Sequence, residues 1–245
     1  MIRATPTAFP ATRPVFTRIL ISAIFAGASA GLIAGLLQLV FVQPVLLHAE
    51  LYETGALVHF GAQPVSAHPD LAGPEVMRTG LSLLFSMLTY TGFALVMVAM
   101  MAIAERQDHV VTARAGLIWG LAGFITFQLA PGLSLPADVP GSATADVADR
   151  QIWWGATVAV TGIALWVITF ARSWVAWGGA IVLLLAPHLI GAPEPAFFAG
   201  PVPPEIAALF TARAFGAGMA GWVLLGCFAG FFWQREGKRQ EFQIL

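Results

Sequence analysis

The sequence has few of the charged residues on which soluble proteins depend. Only 10% of its 245 residues are charged, whereas a soluble domain usually carries about a quarter. A folded chain of this length could not cover a water-exposed surface with so few charges. In a bilayer the shortage is expected, because lipid replaces water around most of the surface. The composition therefore indicates an integral membrane protein.

Other scarcities exclude several classes of function. The single cysteine, Cys227, excludes a disulfide framework and a Cys-rich metal site. The single lysine, Lys238, lies near the C-terminus, and there is no P-loop motif for ATP hydrolysis. A net charge of −1 provides no basic surface for nucleic acid. We predict that the protein is not an enzyme and that it holds no tightly bound cofactor.

Long apolar runs dominate what the sequence does contain. A helix that spans a bilayer needs about 20 predominantly apolar residues, and the chain, which we predict to be all-α, offers six such runs. The shortest are the third and the fifth. The predicted fold is a polytopic transmembrane helix bundle, with spans near 19–42, 80–104, 115–130, 153–171, 174–190 and 207–233. We expect a disordered lead-in at 1–14, one membrane domain at 15–236 and a cytoplasmic tail at 237–245.

The distribution of basic residues predicts the orientation. Cytoplasmic loops of membrane proteins carry an excess of Lys and Arg. With six spans, three basic residues fall on one side (Arg78, Arg150 and Arg213) and nine on the other: Arg3, Arg13, Arg18, Arg106, Arg114, Arg172, Arg235, Lys238 and Arg239. This ratio predicts that both termini are cytoplasmic, and it supports an even number of spans.

Acids and histidines show the opposite bias. Nine acids and four histidines fall on the predicted external side: Glu50, Glu53, Asp70, Glu75, Asp138, Asp146, Asp149, Glu194 and Glu205, with His48, His59, His68 and His188. This distribution has two interpretations. Either it is only the counterpart of the positive-inside rule, or the acids and histidines form a vestibule that attracts cations.

The segment that leaves the first span contains the best candidates for metal ligands. Pro44 removes a helical hydrogen bond and should kink the chain. If the helix resumes, Glu50 and Glu53 share a face, whereas His48 lies about 200° from Glu50. His188, which ends the fifth span, is a fourth candidate. We predict His48, Glu50, Glu53 and His188 as metal ligands. The alternative is an interfacial turn with solvated acids.

Small residues repeat at helical spacing within the spans. Stripes of this kind allow two helix backbones to approach closely, and we expect them to pack helices inside the bundle. They comprise Gly27, Gly31 and Gly35, then Gly116 with Gly120, and Gly226 with Gly230. Residues 30–36 also match residues 115–121 at an offset of 85, which leaves a parallel duplication open. Arg213, inside the last span, either extends to the external surface or pairs with an acid in the bundle.

The sequence resembles the CbtA family. The resemblance follows residues 19–47 with Gln38 and Gln43-Pro44, then Ala-Glu-x-Tyr-Glu at 49–53 and Arg-Gln-x-Trp-Trp at 150–154. It implies the large membrane subunit of a proposed cobalt transporter in a bacterial inner membrane. It also implies a small single-helix, His-bearing partner (CbtB-like) and control by cobalamin. The family is usually described with about five spans, so our six is a departure.

Two functional hypotheses follow. The first is a membrane subunit of a metal-ion transporter for cobalt uptake linked to cobalamin supply, with the divalent metal as cargo. Imidazole and carboxylate ligands suit a divalent first-row metal, although they do not select cobalt over nickel or zinc. The alternative is a non-transporting membrane scaffold or accessory subunit that organises another transporter.

Overall fold

The protein is a bundle of α-helices. The structure, a computed structural model, describes residues 15–59, 65–71, 73 and 75–242, so the predicted lead-in at 1–14 lies outside it. The described residues contain no strand, which confirms the all-α class. They form six helices: α1 Val15–Glu53, α2 Val76–Glu105, α3 Ala113–Ser134, α4 Val147–Phe170, α5 Trp174–Ile190 and α6 Pro204–Phe242.

Short polar residues begin two of these helices. The Thr112 side chain accepts a hydrogen bond from the Ala115 amide at 3.1 Å and caps α3. The Asp146 carboxylate accepts one from the Ala148 amide at 2.8 Å and caps α4. Such caps satisfy backbone amides that the first turn of a helix leaves without partners.

The glycine stripes pack helices together, as expected. Gly27 and Gly31 of α1 lie directly against the backbone of α2 at Thr91 and Met87. Gly116 of α3 faces Gly226 of α6 in the same way. These two crossings bring four helices around one core, which contains Tyr90, Met97, Phe124, Trp222 and Leu225.

The hairpin of α4 and α5 lies at the side of this core. Only Ala180 and Pro187 of α5 are buried. With 17 residues, α5 is shorter than the other five helices, which are each long and apolar enough to cross a membrane. Phe170, at the end of α4, lies 4.8 Å from the His109 ring in the α2–α3 connection. At the other end of α5, His188 contacts Ser134 at the end of α3. The hairpin therefore runs the length of the bundle and back, in agreement with six passes.

Both ends of the described chain lie at the same end of the bundle. Nη2 of Arg18, in the first turn of α1, donates to the Trp233 carbonyl of α6 at 2.9 Å. Nη1 of Arg18 pairs with Glu105, the last residue of α2, at 3.0 Å. We call this the basic end, because it also carries Arg106, Arg114, Arg172 and Arg235. The opposite end, which carries Glu50, Glu53, Asp138, Asp146 and Glu205, is the acidic end. The positive-inside rule assigns the basic end to the cytoplasm.

Candidate cation site at the acidic end

The predicted ligands of the first helix lie on a helix that continues through a π-helical turn. α1 continues past Pro44 to Glu53, and a π-helical turn at Gln38–Val42 accommodates the proline. The π turn adds a residue to the turn just before Pro44, where the helix lacks a backbone donor. Because the helix resumes, Glu50 and Glu53 project from it three residues apart.

Glu50 is held by an arginine of the neighbouring helix. Nη2 of Arg78 lies 2.7 Å from Oε1 of Glu50, and Nη1 lies 3.4 Å from Oε2. The pair joins the end of α1 to the start of α2, and it engages both carboxylate oxygens. The sequence offered one signal for this contact, since Arg78 is one of only three basic residues predicted for the external side.

Glu53 has no hydrogen bond or ion pair within the described part of the chain, and its side chain is exposed. It lies where two external connections meet. A Cβ built on Gly141 would come within 3.3 Å of Glu53 Cγ and 3.1 Å of the Pro201 ring, and the Ala143 amide donates to the Ala199 carbonyl at 2.7 Å. Gly141 has φ +76°, which favours glycine at this crowded turn. The α3–α4 and α5–α6 connections thus form a wall beside Glu53.

His48 presents a buried ring nitrogen without a partner. Its Nε2 atom has no hydrogen bond among the described residues. The ring lies against Tyr52, with 5.6 Å between centroids, and His68 is close enough to act on it electrostatically. Most buried polar atoms in proteins are hydrogen-bonded. With the hydrogen on Nδ1, the unpaired Nε2 has a free lone pair that can bind a metal ion or accept a proton.

His188 lies in a different environment. Its Nδ1 is 2.8 Å from the Ser134 hydroxyl, and its ring meets Trp153 edge-on with centroids 6.3 Å apart. These contacts hold the ring where α3, α4 and α5 meet. Within the residues that the structure describes, no three His, Cys, Asp or Glu side chains form a group that could hold a metal ion. The four predicted ligands therefore do not assemble into one centre in this structure.

Two further polar features lie near this end. Arg213 has an exposed side chain and forms no ion pair with an acid among the described residues, and its Nη1 donates to the Phe41 carbonyl in the π turn of α1 at 3.1 Å. A cavity of about 420 Å³ opens between α3, α4 and α6. Polar groups and aromatic rings both line it, including Gln128, Arg150, Gln151, Trp154 and Thr211. Arg150 is neutralised there by an ion pair with Asp138.

The architecture defines a multi-pass membrane protein with one basic and one acidic end. Comparison with known families then identifies it more closely. The chain belongs to the CbtA family, whose description is a probable cobalt transporter subunit and whose profile matches residues 16–234. This confirms the resemblance seen in the sequence. No curated protein and no solved structure matches the chain.

Proposed function

We propose that this chain forms the membrane path by which cobalt ions enter the cytoplasm of a bacterium, as part of its cobalamin supply. Membership of a cobalt transporter family supports the cargo. The polarity of the bundle supports the direction, because a divalent cation would meet the acidic end first and the basic end last.

The observation that carries the proposal is the unpaired Nε2 of His48, buried beside the acidic mouth. Imidazole suits cobalt, as it suits other first-row metals. Glu53 supplies an exposed carboxylate without an ion pair among the described residues, and it attracts the hydrated ion to this end of the bundle electrostatically, from a face of α1 that His48 does not share. A site with few and mixed ligands also releases its ion readily, as transport requires.

Glu50 and His188 have secondary roles in this proposal. Glu50 becomes a ligand when the incoming dication displaces the Arg78 guanidinium from its carboxylate. His188 becomes one when it exchanges the Ser134 hydroxyl for the metal. Each step leaves one group, the Arg78 guanidinium or the Ser134 hydroxyl, without its present partner. Arg78 is exposed and Ser134 is only partly buried, so water can take the place of the lost contact.

Cobalt accumulation in cells tests these assignments. We expect His48→Ala and Glu53→Gln each to lower uptake at least tenfold, and Glu50→Gln to lower it less. Glu205→Gln, which alters an acid of the same end at the start of α6, is the matched control and should keep wild-type uptake. Wild-type uptake by the double variant of His48 and Glu53, at a normal level of protein in the membrane, would contradict the assignment.

The second candidate is an accessory subunit that organises another transporter. The exposed side of α5 favours it, because Trp174, Leu189 and Ile190 are each more than 80% exposed and could face either lipid or another subunit. The small His-bearing single-helix subunit expected from the family resemblance would be one such partner. Purified protein in liposomes distinguishes the two candidates. Cobalt entry driven by this chain alone would exclude a purely accessory role.

A further inference from the structure

Two helices that run in the same direction carry the same interruption. α1 has a π turn at Gln38–Val42, and Pro44 is the second residue after it. α3 has a π turn at Ile125–Leu129, and Pro131 is again the second residue after it. The two prolines are 87 positions apart, close to the offset of 85 that relates the preceding glycine stripes. Pro and π turns are the usual places where long helices bend.

Consecutive residues of α6 are tied to both interruptions. Arg213 Nη1 donates to the carbonyl of Phe41 at 3.1 Å, and Gln128 Nε2 donates to the carbonyl of Ala214 at 3.0 Å. Phe41 and Gln128 are each the fourth residue of their π turn. α6 thus forms one hydrogen bond with each π turn, through two consecutive residues.

In the part of α6 that follows these bonds, glycines allow the helix to pack directly against its neighbours. Gly218 lies against the Gln128 side chain, and a Cβ at position 218 would overlap the amide group of Gln128. Gly221 lies in the same way against the Tyr90 hydroxyl and Ala34 of α1. Since α6 is in direct contact with both neighbours, a movement of α6 relative to one π turn also changes its position relative to the other.

We propose that α6 couples the two π turns, so that α1 and α3 bend together about a shared pivot at Arg213 and Ala214. A small rotation of α6 displaces both bonds at once, which makes the acidic ends of α1 and α3 move as a unit. The coupling belongs to the bundle itself and does not depend on which ion the protein carries.

Hydrogen–deuterium exchange of the purified, metal-free protein tests the coupling. Arg213→Met removes the bond to α1, and Gln128→Leu removes the bond from α3. Opening at a π turn exposes the amides that follow it. If the turns are coupled, each variant should raise exchange at least threefold in both segments, 43–53 and 130–134.

Exchange that rises only in the helix whose bond was removed, or in neither helix, would overturn the proposal. Thr211→Val is the control, because the Thr211 hydroxyl donates to the Ala207 carbonyl at 3.1 Å and the Ala137 carbonyl at 3.3 Å, and to neither π turn. An equal rise in that variant would indicate general loosening and would also overturn the proposal. If Arg213→Met does not fold, Gln128→Leu alone decides between the two outcomes.

Discussion

The crossing of α3 and α6 provides the sharpest stability prediction, because backbone meets backbone there. A Cβ built on Gly226 would lie 2.7 Å from the Cα atom of Gly120 and still closer to the Gly116 carbonyl oxygen. Ordinary van der Waals contact begins at 3.4 Å, so the contact with Gly120 Cα alone would have to open by 0.7 Å, and the closer contact with the Gly116 oxygen would have to open further. Backbone atoms cannot rotate away as a side chain can.

We therefore expect Gly226→Ala to destabilise the protein by about 3 kcal/mol, near the upper end of the usual cost of overpacking a core. Separation of the helices would also weaken the packing of Trp222, which lies against Gly120 and Gly123. The measurement is the midpoint of SDS-induced unfolding of purified protein in mixed micelles, followed by tryptophan fluorescence.

Gly216→Ala is the matched control in the same helix. A Cβ at position 216 has no atom within 4 Å, and alanine is favoured over glycine in a helix interior by about 0.5–1 kcal/mol. This variant should be as stable as the wild type or slightly more stable. The reasoning would be refuted if Gly226→Ala unfolded at the same SDS fraction as Gly216→Ala.

Two further predictions concern arginines at opposite ends of the bundle. Arg18→Met removes the bonds to the Trp233 carbonyl and the ion pair with Glu105. Because a charged hydrogen bond contributes about 1.5–3 kcal/mol, we expect this variant to have a lower thermal unfolding midpoint, and Arg18→Lys to recover part of the loss. An unchanged midpoint in Arg18→Met would contradict the prediction. Arg78→Gln frees the Glu50 carboxylate from its ion pair. If Glu50 binds the transported ion, the KM for cobalt uptake should fall severalfold in this variant. An unchanged KM would indicate that Glu50 serves only to hold α1 against α2.

Charge and hydropathy predicted the main architecture because they report directly on the bilayer. The apolar run at 19–42 located α1. The excess of arginine on one side predicted that both ends of the bundle's chain lie together, and for the described residues the contact of Arg18 with Trp233 shows this. The helices extend beyond the predicted spans, as α1 does to Glu53 and α6 to Phe242. Hydropathy identifies only the part of a helix that lipid covers, and the helical hydrogen bonds continue past it.

The details of the acidic end could not be read from one sequence. Pro44 predicted a kink, but one sequence does not show that a π turn before the proline accommodates it. The partner of Glu50 is a contact between helices, and the spacing of residues within one helix gives no information about it. Arg213 was expected either to extend to the external surface or to pair with an acid. Its exposed side chain also donates to the Phe41 backbone carbonyl, an acceptor that every residue possesses and that no sequence pattern marks.

Each end of the bundle has a buried ring nitrogen without a hydrogen-bond partner among the described residues: Trp233 Nε1 at the basic end and His48 Nε2 at the acidic end. At the basic end, Arg18 lies over the Trp233 ring, 3.7 Å from its centroid, and the indole nitrogen can only donate a hydrogen bond. The imidazole nitrogen of His48 differs, because it can carry a free lone pair that binds a metal ion. A buried polar group that lacks a hydrogen bond costs about 1–3 kcal/mol, so a protein that retains one forgoes stability at that position. Because that cost is relieved when a ligand binds, His48 is the position at which binding of the cargo is most directly tested.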